Sequence, residues 1–359
     1  MKKICFIDYD MSITGGVEGV TASLVNTLAD FYEVHLISIC GGSTPAYSLD
    51  SRIKFSVLFD TEERLSVMRK NAKPLLVKYF KDNNITVAFA QGNYPGFILS
   101  AVRFNTRTKI IFCDHGALMN QWHQKDIVVI RLINSYLHHK TITLTDQSLK
   151  AYKKKFLISK NRISSIPNWI SDDVAVSEKY NTASKRIISA GRFGKEKGFD
   201  MLVKAFAPVV RKHPDWHLDI YGDGEMFDTV KELIENLKIA DNVHLMGMCS
   251  NLSDKYKDYS MYVLPSYREG LPLVLLEAKA NRLPIVSFDI LTGPREIMRD
   301  GVDGILVPPY DLEKMGAAIC RLIEDDSLRI SMSEKSQDNV ENFSKPTILK
   351  QWCDLIESI

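Results

Sequence analysis

Two pairs of charged residues in the second half of the sequence have the types and spacing to bind one ligand. Glu269 and Glu277 follow the apolar segment 261–264 through a Pro-Ser turn and enter an apolar helix-like segment. Arg192 and Lys197 lie in a glycine-rich turn after another apolar segment. Carboxylates accept hydrogen bonds from neutral hydroxyls, and fixed cations neutralise a diphosphate. A ligand that combines sugars with a diphosphate is a nucleotide-sugar.

The glutamate segment also predicts a helix N-terminus. We expect Glu269 and the amides after it at this terminus, with Glu277 about two turns inside the helix. Such a terminus binds anions through free N–H groups and the helix dipole. Pro272 suits a first helical turn but has no N–H to donate.

Apolar strand-like segments alternate with helical periods along the whole chain, which is typical of parallel sheets covered by helices. The first half has seven such segments, at 4–7, 34–37, 55–58, 87–90, 110–113, 142–144 and 163–166. The second half has six, at 187–190, 218–221, 243–245, 262–264, 285–288 and 305–307. The sequence therefore predicts an α/β fold with two Rossmann-like domains, joined in the polar stretch 171–185.

Further short motifs carry a family resemblance. They are Gly15-Gly16-Val17-Glu18, Asp114-His115-Gly116, Ile166-Pro167-Asn168, Tyr221-Gly222-Asp223-Gly224-Glu225 and Thr292-Gly293-Pro294. In this order, and with the two charged pairs, they resemble the family 4 glycosyltransferases over nearly the whole chain. These are retaining enzymes of the two-domain GT-B architecture, and bacterial surface-polysaccharide transferases are among them.

The resemblance implies two Rossmann-like domains that face each other across a cleft. The last helix would cross back to the first domain. The implied parts are an acceptor-binding domain at 1–170, a linker at 171–185, a nucleotide-sugar-binding domain at 186–343 and a returning helix at 344–359.

The resemblance also implies roles for single residues. Arg192 and Lys197 would stabilise the charge that develops on a departing UDP, so no metal ion or other cofactor is expected. Glu277 would accept hydrogen bonds from the ribose, Glu269 would hold a sugar hydroxyl, and His115 would contact the donor sugar near its reacting carbon. The other implied donor-binding positions are Gly15, Gly16, Gly222, Met248, and the backbone at Gly270, Leu271, Leu273 and Val274.

One position of the donor-binding segment departs from the family pattern. Pro272 stands where the family usually has a glycine, which removes one backbone donor and leaves the identity of the sugar open.

The resemblance also indicates residues on the acceptor side. The acceptor-side candidates are Glu18, Thr145, Ser148 and Asn168. For Thr145 the alternative is a structural role as a helix cap.

Two motifs near the N-terminus also resemble other kinds of site, and two other functions are compatible with the fold. Asp8-Tyr9-Asp10 is similar to a manganese-binding Asp-x-Asp motif, but it ends the first strand ahead of a glycine turn. Glycines 15, 16 and 19 lack the spacing of a dinucleotide fingerprint. A UDP-sugar epimerase of the same fold and an inactive, transferase-like scaffold protein remain as alternatives. The epimerase would need an acid and a base, for which Asp114 and Glu18 are the only evident pair in the first half.

Composition and charge indicate the setting. The hydrophobic content of 45% and the absence of a run of ~20 apolar residues indicate a protein without a membrane span. Six scattered cysteines indicate reduced core thiols and a cytoplasmic location. Residues 1–168 hold 22 lysines and arginines against 13 aspartates and glutamates, whereas residues 169–359 hold 24 against 31. The basic half predicts an anionic partner.

The sequence therefore predicts a metal-independent transferase that moves a hexose or N-acetylhexosamine from a UDP-sugar to a saccharide acceptor. We expect the acceptor to be linked to a lipid diphosphate, as in capsule, O-antigen or lipopolysaccharide assembly at the inner membrane face. Nucleic acid is not expected as a partner. Two basic segments, Arg64–Lys81 and Lys150–Arg162, are the predicted contacts with an anionic membrane. For the first of them the alternative is a helix whose apolar stripe packs on the sheet.

Overall fold

The chain forms two compact α/β units. The computed structural model describes residues 1–170, 174, 177, 179–249 and 251–359. The first unit comprises Met1–Asn168 with Leu349–Ile359, and the second comprises Trp169–Ile348. The predicted linker, 171–185, lies partly outside the described residues.

The first unit is built on a seven-stranded parallel sheet with the order β3-β2-β1-β4-β5-β6-β7. Its strands are β1 (Lys3–Asp8), β2 (Glu33–Cys40), β3 (Lys54–Phe59), β4 (Val87–Gln91), β5 (Lys109–Asp114), β6 (Lys140–Thr143) and β7 (Ile163–Ser165). Its helices are α1 (Gly16–Leu28), α2 (Leu65–Asp82), α3 (Asn93–Ser100), α4 (Lys125–Leu137) and α5 (Asp146–Phe156). All seven predicted strands are present.

The second unit is built on a six-stranded parallel sheet with the order β10-β9-β8-β11-β12-β13. Its strands are β8 (Arg186–Ala190), β9 (His217–Tyr221), β10 (Val243–Gly247), β11 (Met261–Leu264), β12 (Ile285–Phe288) and β13 (Gly304–Val307). Its helices are α6 (Phe199–Lys212), α7 (Phe227–Leu237), α8 (Leu273–Ala280), α9 (Pro294–Ile297), α10 (Leu312–Glu324) and α11 (Asp326–Lys335). The six predicted strands of this half are also confirmed.

Burial on both faces explains why these strands are apolar along their whole length. Helices cover both sides of a parallel sheet, so inner strands carry few polar residues. In β1, for example, Ile4, Cys5, Phe6 and Ile7 are all fully buried. The carboxyl ends of the strands then form the edge at which ligands bind in open α/β sheets.

The apolar stripe of α2 belongs to the core. Met68, Ala72, Leu76 and Phe80 are buried, and they lie in one cluster with residues of the sheet. The amphipathic pattern of Arg64–Lys81 is therefore satisfied by packing, and its apolar side is not available to a membrane. This corrects the prediction that the stripe contacts lipid.

The final helix, α12 (Lys345–Ser358), ends in the first unit. The Trp352 ring lies 5.6 Å from the Phe89 ring and 6.4 Å from the Phe6 ring, centroid to centroid. Lys2 Nζ donates to the Ile356 carbonyl at 2.8 Å. These contacts attach the helix to the buried strands β1 and β4, as the family resemblance implied.

None of the helices in the described ranges is long and apolar enough to cross a bilayer. All six cysteines are free thiols, and Cys5, Cys40 and Cys113 are buried. Burial raises the pKa of the Cys113 thiol, so this group stays protonated at neutral pH. The prediction of core thiols is confirmed for these three residues.

Buried His138 gives the first unit a defined response to acid. Its Nε2 faces the Gly96 carbonyl at 2.9 Å, and burial lowers its pKa to about 4. The unfolded chain takes up this proton near pH 6.5, so stability is complete above that pH and falls as the pH drops towards 4. We expect His138→Gln to reduce the loss of unfolding free energy between pH 7.5 and pH 5 by about 2 kcal/mol.

Urea unfolding of both proteins at the two pH values measures this difference. The drop in unfolding free energy between the two pH values is compared in the two proteins. This comparison cancels the contributions of other titrating groups, such as Asp8, whose pKa burial raises to about 7. Equal falls in the wild type and the variant would contradict the assignment.

Candidate active site

The glutamate segment forms a loop and a helix start at the carboxyl edge of the second sheet. Strand β11 ends at Leu264, and α8 begins at Leu273 with Pro272 as its N-cap. Glu269 therefore lies in the loop before the helix, and Glu277 lies just over one turn inside it. The predicted helix start at Glu269 is wrong, because Pro272 (φ −73°, ψ 101°) is still in an extended conformation.

An ion pair joins the two predicted loops. Lys197 Nζ lies 2.8 Å from Glu269 Oε1, and the side chains are 23% and 9% exposed. Ser266 Oγ donates to the same carboxylate oxygen at 2.7 Å. The cation predicted for a diphosphate and the carboxylate predicted for a sugar hydroxyl thus lie side by side. A ligand that carries both groups can replace this contact with two of its own.

Glu277 is oriented by a tyrosine that sequence reasoning missed. Tyr256 is fully buried, and its hydroxyl donates to Glu277 Oε2 at 2.7 Å. Burial raises the pKa of Glu277, and the tyrosine hydrogen bond opposes that rise. One carboxylate oxygen is thereby fixed, which leaves the other to accept from a ligand hydroxyl. No motif marked Tyr256, because it lies in a short 3₁₀ turn before β11.

Close backbone contacts fix the loops that carry these groups. Gly222 has φ +128°, and a Cβ on it would lie 1.9 Å from the Gly191 carbonyl oxygen. Gly198 has φ +67°, and a Cβ there would lie 2.3 Å from the Pro265 carbonyl oxygen. Only glycine fits at both positions. The cationic loop is thus packed directly against the chain that leads to Glu269.

The motif Thr292-Gly293-Pro294 braces the Glu269 loop from the next strand. Thr292 Oγ1 donates to the Glu269 carbonyl at 2.6 Å. Gly293, with φ +103°, allows the Pro272 ring to approach, since a Cβ would lie 2.7 Å from Pro272 Cδ. These residues are therefore positioning residues for the carboxylate loop.

The other donor-binding positions predicted in the second unit lie along this edge. Arg192 is exposed and pairs with no carboxylate in the part of the chain that the structure describes. Met248 is 74% exposed just beyond β10, and Gly222 N donates to the Gly247 carbonyl at 2.8 Å. Leu271 is buried, whereas the half-buried residues are Gly270, Leu273 and Val274. The amides of Leu273 and Val274 open α8, where no earlier turn supplies carbonyl partners.

In the first unit, His115 follows β5 and contacts Gln91 at the end of β4. The distance from His115 Nε2 to Gln91 Oε1 is 2.5 Å. Desolvation lowers the pKa of His115 to about 4, and the nearby Asp114 charge opposes this. The imidazole is therefore neutral at pH 7, and with Nε2–H donating to Gln91, Nδ1 is left as an acceptor. Sequence reasoning missed Gln91, although a polar residue closing an apolar strand was a usable signal.

A buried charge network lies beneath His115. Asp114 Oδ2 lies 3.1 Å from Arg131 Nε and accepts from the Tyr152 hydroxyl at 2.6 Å. Asp114 Oδ1 accepts from the Gly116 amide at 3.0 Å. The side chains of Arg131 and Asp114 are 0% and 1% exposed, so removing either would leave a buried charge unpaired. Arg131 and Tyr152 were not predicted, although an arginine inside apolar α4 was a signal.

The carboxylate of Glu18 partly occupies the glycine turn after β1. A Cβ on Gly15 would lie 2.1 Å from Glu18 Oε2, and Tyr47 donates to the Gly15 carbonyl at 3.0 Å. Gly16 begins α1, and a Cβ on it would meet no atom within 4 Å. Glu18 therefore lies over the start of α1, where an anionic ligand would have to displace it.

The remaining acceptor-side candidates have mixed roles. Thr145 is the N-cap of α5 and accepts from the Ser148 amide at 3.1 Å, which is the structural alternative considered for it. Ser148 is buried, and its Oγ has no hydrogen-bond partner among the described residues. Asn168 is half-buried at the end of the first unit.

Asp8 and Asp10 are engaged within the protein. Asp8 accepts from the Thr21 hydroxyl at 2.8 Å, and Asp10 accepts from the Ser12 hydroxyl at 2.6 Å. Within the described residues, one group of three possible metal ligands has its ligand atoms within 4.8 Å of one another, namely His213, Cys320 and Glu324. That group does not include either aspartate.

Comparison with known proteins decides the family. A family model described as "Glycosyltransferase Family 4" matches residues 14–174, and one described as "Glycosyl transferases group 1" matches residues 172–339. An uncharacterized glycosyltransferase of Haemophilus influenzae is 30% identical over 98% of this chain and 99% of its own. The chain belongs to glycosyltransferase family 4. Among the alternatives, neither an epimerase nor a scaffold protein is favoured by these matches.

Two further similarities of this glycosyltransferase are informative. The N-acetylgalactosamine-N,N'-diacetylbacillosaminyl-diphospho-undecaprenol 4-alpha-N-acetylgalactosaminyltransferase of Campylobacter jejuni is 26% identical and covers 98% of both chains. The crystal structure of Anabaena Alr3699/HepE in complex with UDP and glucose superposes with a TM-score of 0.81, at 18% identity and 100% coverage of both chains. The second similarity confirms the predicted GT-B fold with two Rossmann-like domains.

Proposed function

We propose that this glycosyltransferase moves a hexose or N-acetylhexosamine from a UDP-sugar to a saccharide acceptor, with retention of the anomeric configuration. The observation that carries the proposal is the contact of Lys197 with Glu269 at 2.8 Å, on the same sheet edge as Glu277. A nucleotide-sugar requires three groups: a cation for its diphosphate, a carboxylate for its sugar hydroxyls and a carboxylate for its ribose. The UDP and glucose in the Anabaena structure support the choice of nucleotide.

Charge development at the leaving group explains how this edge promotes transfer. As the sugar–oxygen bond breaks, negative charge grows on the diphosphate. Arg192 and Lys197 stabilise that charge more than they stabilise the bound donor. The acceptor hydroxyl forms the new bond to the anomeric carbon on the same face, and its proton passes to the departing phosphate oxygen. Two fixed cations serve this step without a metal ion.

We further propose an acceptor linked to a lipid diphosphate, in surface-glycan assembly at the inner membrane face. The excess of basic residues in 1–168 supports an anionic partner for the first unit. The Campylobacter relative is named for an acceptor of this type, a saccharide on diphospho-undecaprenol. Its name also specifies an alpha linkage, which an alpha-linked donor gives only by retention.

Replacing Glu277 is expected to abolish stabilisation by UDP. A ligand at a hundredfold excess over its dissociation constant adds ~2.7 kcal/mol to the stability of a protein that binds it only when folded. We expect this gain with UDP and one UDP-sugar in the presence of EDTA, but not with GDP or ADP. Thermal unfolding of the wild type, Glu277→Ala and Tyr256→Phe measures it, with a partial loss expected for Tyr256→Phe.

Glu232→Ala is the matched control, since Glu232 is an exposed glutamate on α7. The control should respond to UDP as the wild type does. A response to no nucleotide would overturn the proposed donor, and dependence on added metal would overturn the metal-independent mechanism.

A further inference from the structure

One face of α4 exposes an apolar stripe. Val129, Leu132 and Tyr136 recur at intervals of three and four residues and are 52%, 38% and 49% exposed. This spacing places them on one side of the helix. Trp122, which precedes the helix, is 39% exposed. The opposite side of α4 carries Arg131 and other buried residues, so this stripe is additional to the core-facing side.

The neighbouring helix α5 and the turn that follows it are strongly basic. Lysines occur at 150, 153, 154, 155 and 160, and no aspartate or glutamate occurs between Asp146 and Asp172. The side chains that face inward from α5 are Ser148, Tyr152 and Phe156. None of the five lysines forms an ion pair with another residue in the described ranges. Their charge is therefore available to an external anion.

Direct contacts make α4 and the C-terminal end of α5 one surface. The Tyr136 hydroxyl donates to the Phe156 carbonyl at 2.6 Å. The Trp122 ring lies 6.2 Å from the Phe156 ring, and Lys155 Nζ lies 5.0 Å from the centre of the Trp122 ring. The stripe is thus in direct contact with the end of α5, and Lys155 lies over the exposed Trp122 ring.

Leu157 gives this surface its most unusual feature. It is 81% exposed and has φ +54°, in the left-handed region where a helix usually ends with glycine. A leucine here is strained in the backbone and gains nothing from the core. It follows Lys154 and Lys155 closely in the sequence. Such a residue suits insertion into an apolar medium outside the protein.

We infer that this face binds an anionic lipid bilayer. The α4–α5 surface consists of Trp122, Val129, Leu132, Tyr136 and Leu157, with Lys150, Lys153, Lys154, Lys155 and Lys160. Exposed tryptophan and tyrosine favour the membrane interface, and lysines favour anionic headgroups. A second copy of the chain fits this surface less well, because a two-fold contact would place the lysines against each other. An anionic bilayer is thus the membrane partner of the proposed function. Only the link between this bilayer and a lipid-linked acceptor rests on that proposed function.

Co-sedimentation with vesicles tests the inference. The probes are vesicles of phosphatidylglycerol with phosphatidylcholine and vesicles of phosphatidylcholine alone. We expect binding to the anionic vesicles that weakens as salt is raised. Leu157→Ser should lower the partition coefficient roughly tenfold, because one exposed leucine no longer enters the bilayer. Leu75→Ser is the matched control, since Leu75 is 45% exposed on α2.

A second pair of variants tests the charge. Lys150→Glu with Lys154→Glu should lower binding to anionic vesicles by at least a factor of ten. Lys70→Glu with Lys78→Glu changes the net charge by the same amount on α2 and should bind as the wild type does. Equal losses in both double variants would overturn the inference, as would a wild type that ignores anionic vesicles.

Two further outcomes separate this inference from the proposed function. A concentration-dependent dimer that Leu157→Ser abolishes would identify the occupant as a second copy and overturn the membrane assignment. UDP should stabilise all four variants as it stabilises the wild type, because the lysines and leucines lie outside the second unit. Loss of vesicle binding with the UDP response intact therefore concerns this surface alone.

Discussion

Lys197→Ala is expected to lower kcat roughly 100- to 1,000-fold, the usual cost of removing one fixed group that stabilises developing charge. Lys197 Nζ lies 2.8 Å from Glu269 Oε1, so the variant also leaves this partly buried carboxylate without its cation. Repulsion between Glu269 and the diphosphate then adds to the loss. Steady-state transfer from the UDP-sugar identified by thermal unfolding measures the effect on kcat and KM separately.

Lys195→Ala is the matched control for this prediction. Lys195 lies in the same loop, two residues earlier, and is exposed. Its removal should change kcat by less than about threefold, in line with the small effect expected of an exposed charge. Similar losses in both variants would show that the loop as a whole matters, and not the position of the Lys197 charge. Lys197→Arg should restore part of the activity.

Gly222→Ala is expected to destabilise the second unit by roughly 3 kcal/mol or more. Two effects combine at this residue. Its φ of +128° is unfavourable for any side chain, and the added Cβ would lie 1.9 Å from the Gly191 carbonyl oxygen. Relief of the clash must move the strand end that leads into Arg192. Urea unfolding measures the loss of stability, and UDP binding should weaken with it.

Gly247→Ala separates backbone strain from the clash. Gly247 accepts a hydrogen bond from the Gly222 amide at 2.8 Å and has φ +70°, but a Cβ on it would meet no atom within 4 Å. This variant should lose only about 1–2 kcal/mol, the cost of a left-handed conformation for an L-residue. An equal loss in the two variants would contradict the role of the close approach to Gly191.

The sheets were predictable because their strands are buried on both sides. Segments such as 4–7 and 285–288 are continuously apolar, which distinguishes them from the helices between them. All thirteen strands followed from this pattern and from the turns that bound it. The start of α8 was predicted wrongly, because Pro272 is compatible with a helix start and the sequence does not show that the loop before it stays extended.

The candidate site was only half visible in the sequence. Charged residues that follow strands stand out against an apolar background, which is why Arg192, Lys197, Glu269 and Glu277 were found. Tyr256 and Gln91 were missed because their roles depend on which elements lie side by side. Tyr256 reaches Glu277 across 21 positions, and Gln91 reaches His115 across 24 positions. Only the packing of these elements in the folded chain brings such residues together.

The basic helices show the same limit in another form. Charge made both α2 and α5 candidates for a membrane contact, and apolar residues at helical spacing added to the case for α2. The structure distinguishes them, because the regular stripe of α2, with Met68 and Leu76, faces the core. Helix α5 contacts α4, which has an exposed stripe, and it is followed by Leu157, which is 81% exposed. The exposed stripe of α4 was not predicted. An apolar helix in an α/β protein is expected to pack one side on the sheet, and the sequence does not show that a second, outward side is apolar as well.

The decisive measurement is a crystal structure of the protein with UDP in the presence of EDTA. Diphosphate oxygens should lie within hydrogen-bonding distance of Arg192 and Lys197, with ribose hydroxyls donating to the Glu277 oxygen that Tyr256 leaves available. The contact between Lys197 and Glu269 should lengthen or break. A diphosphate bound away from these residues, or bound through a metal ion, would overturn the proposed donor site.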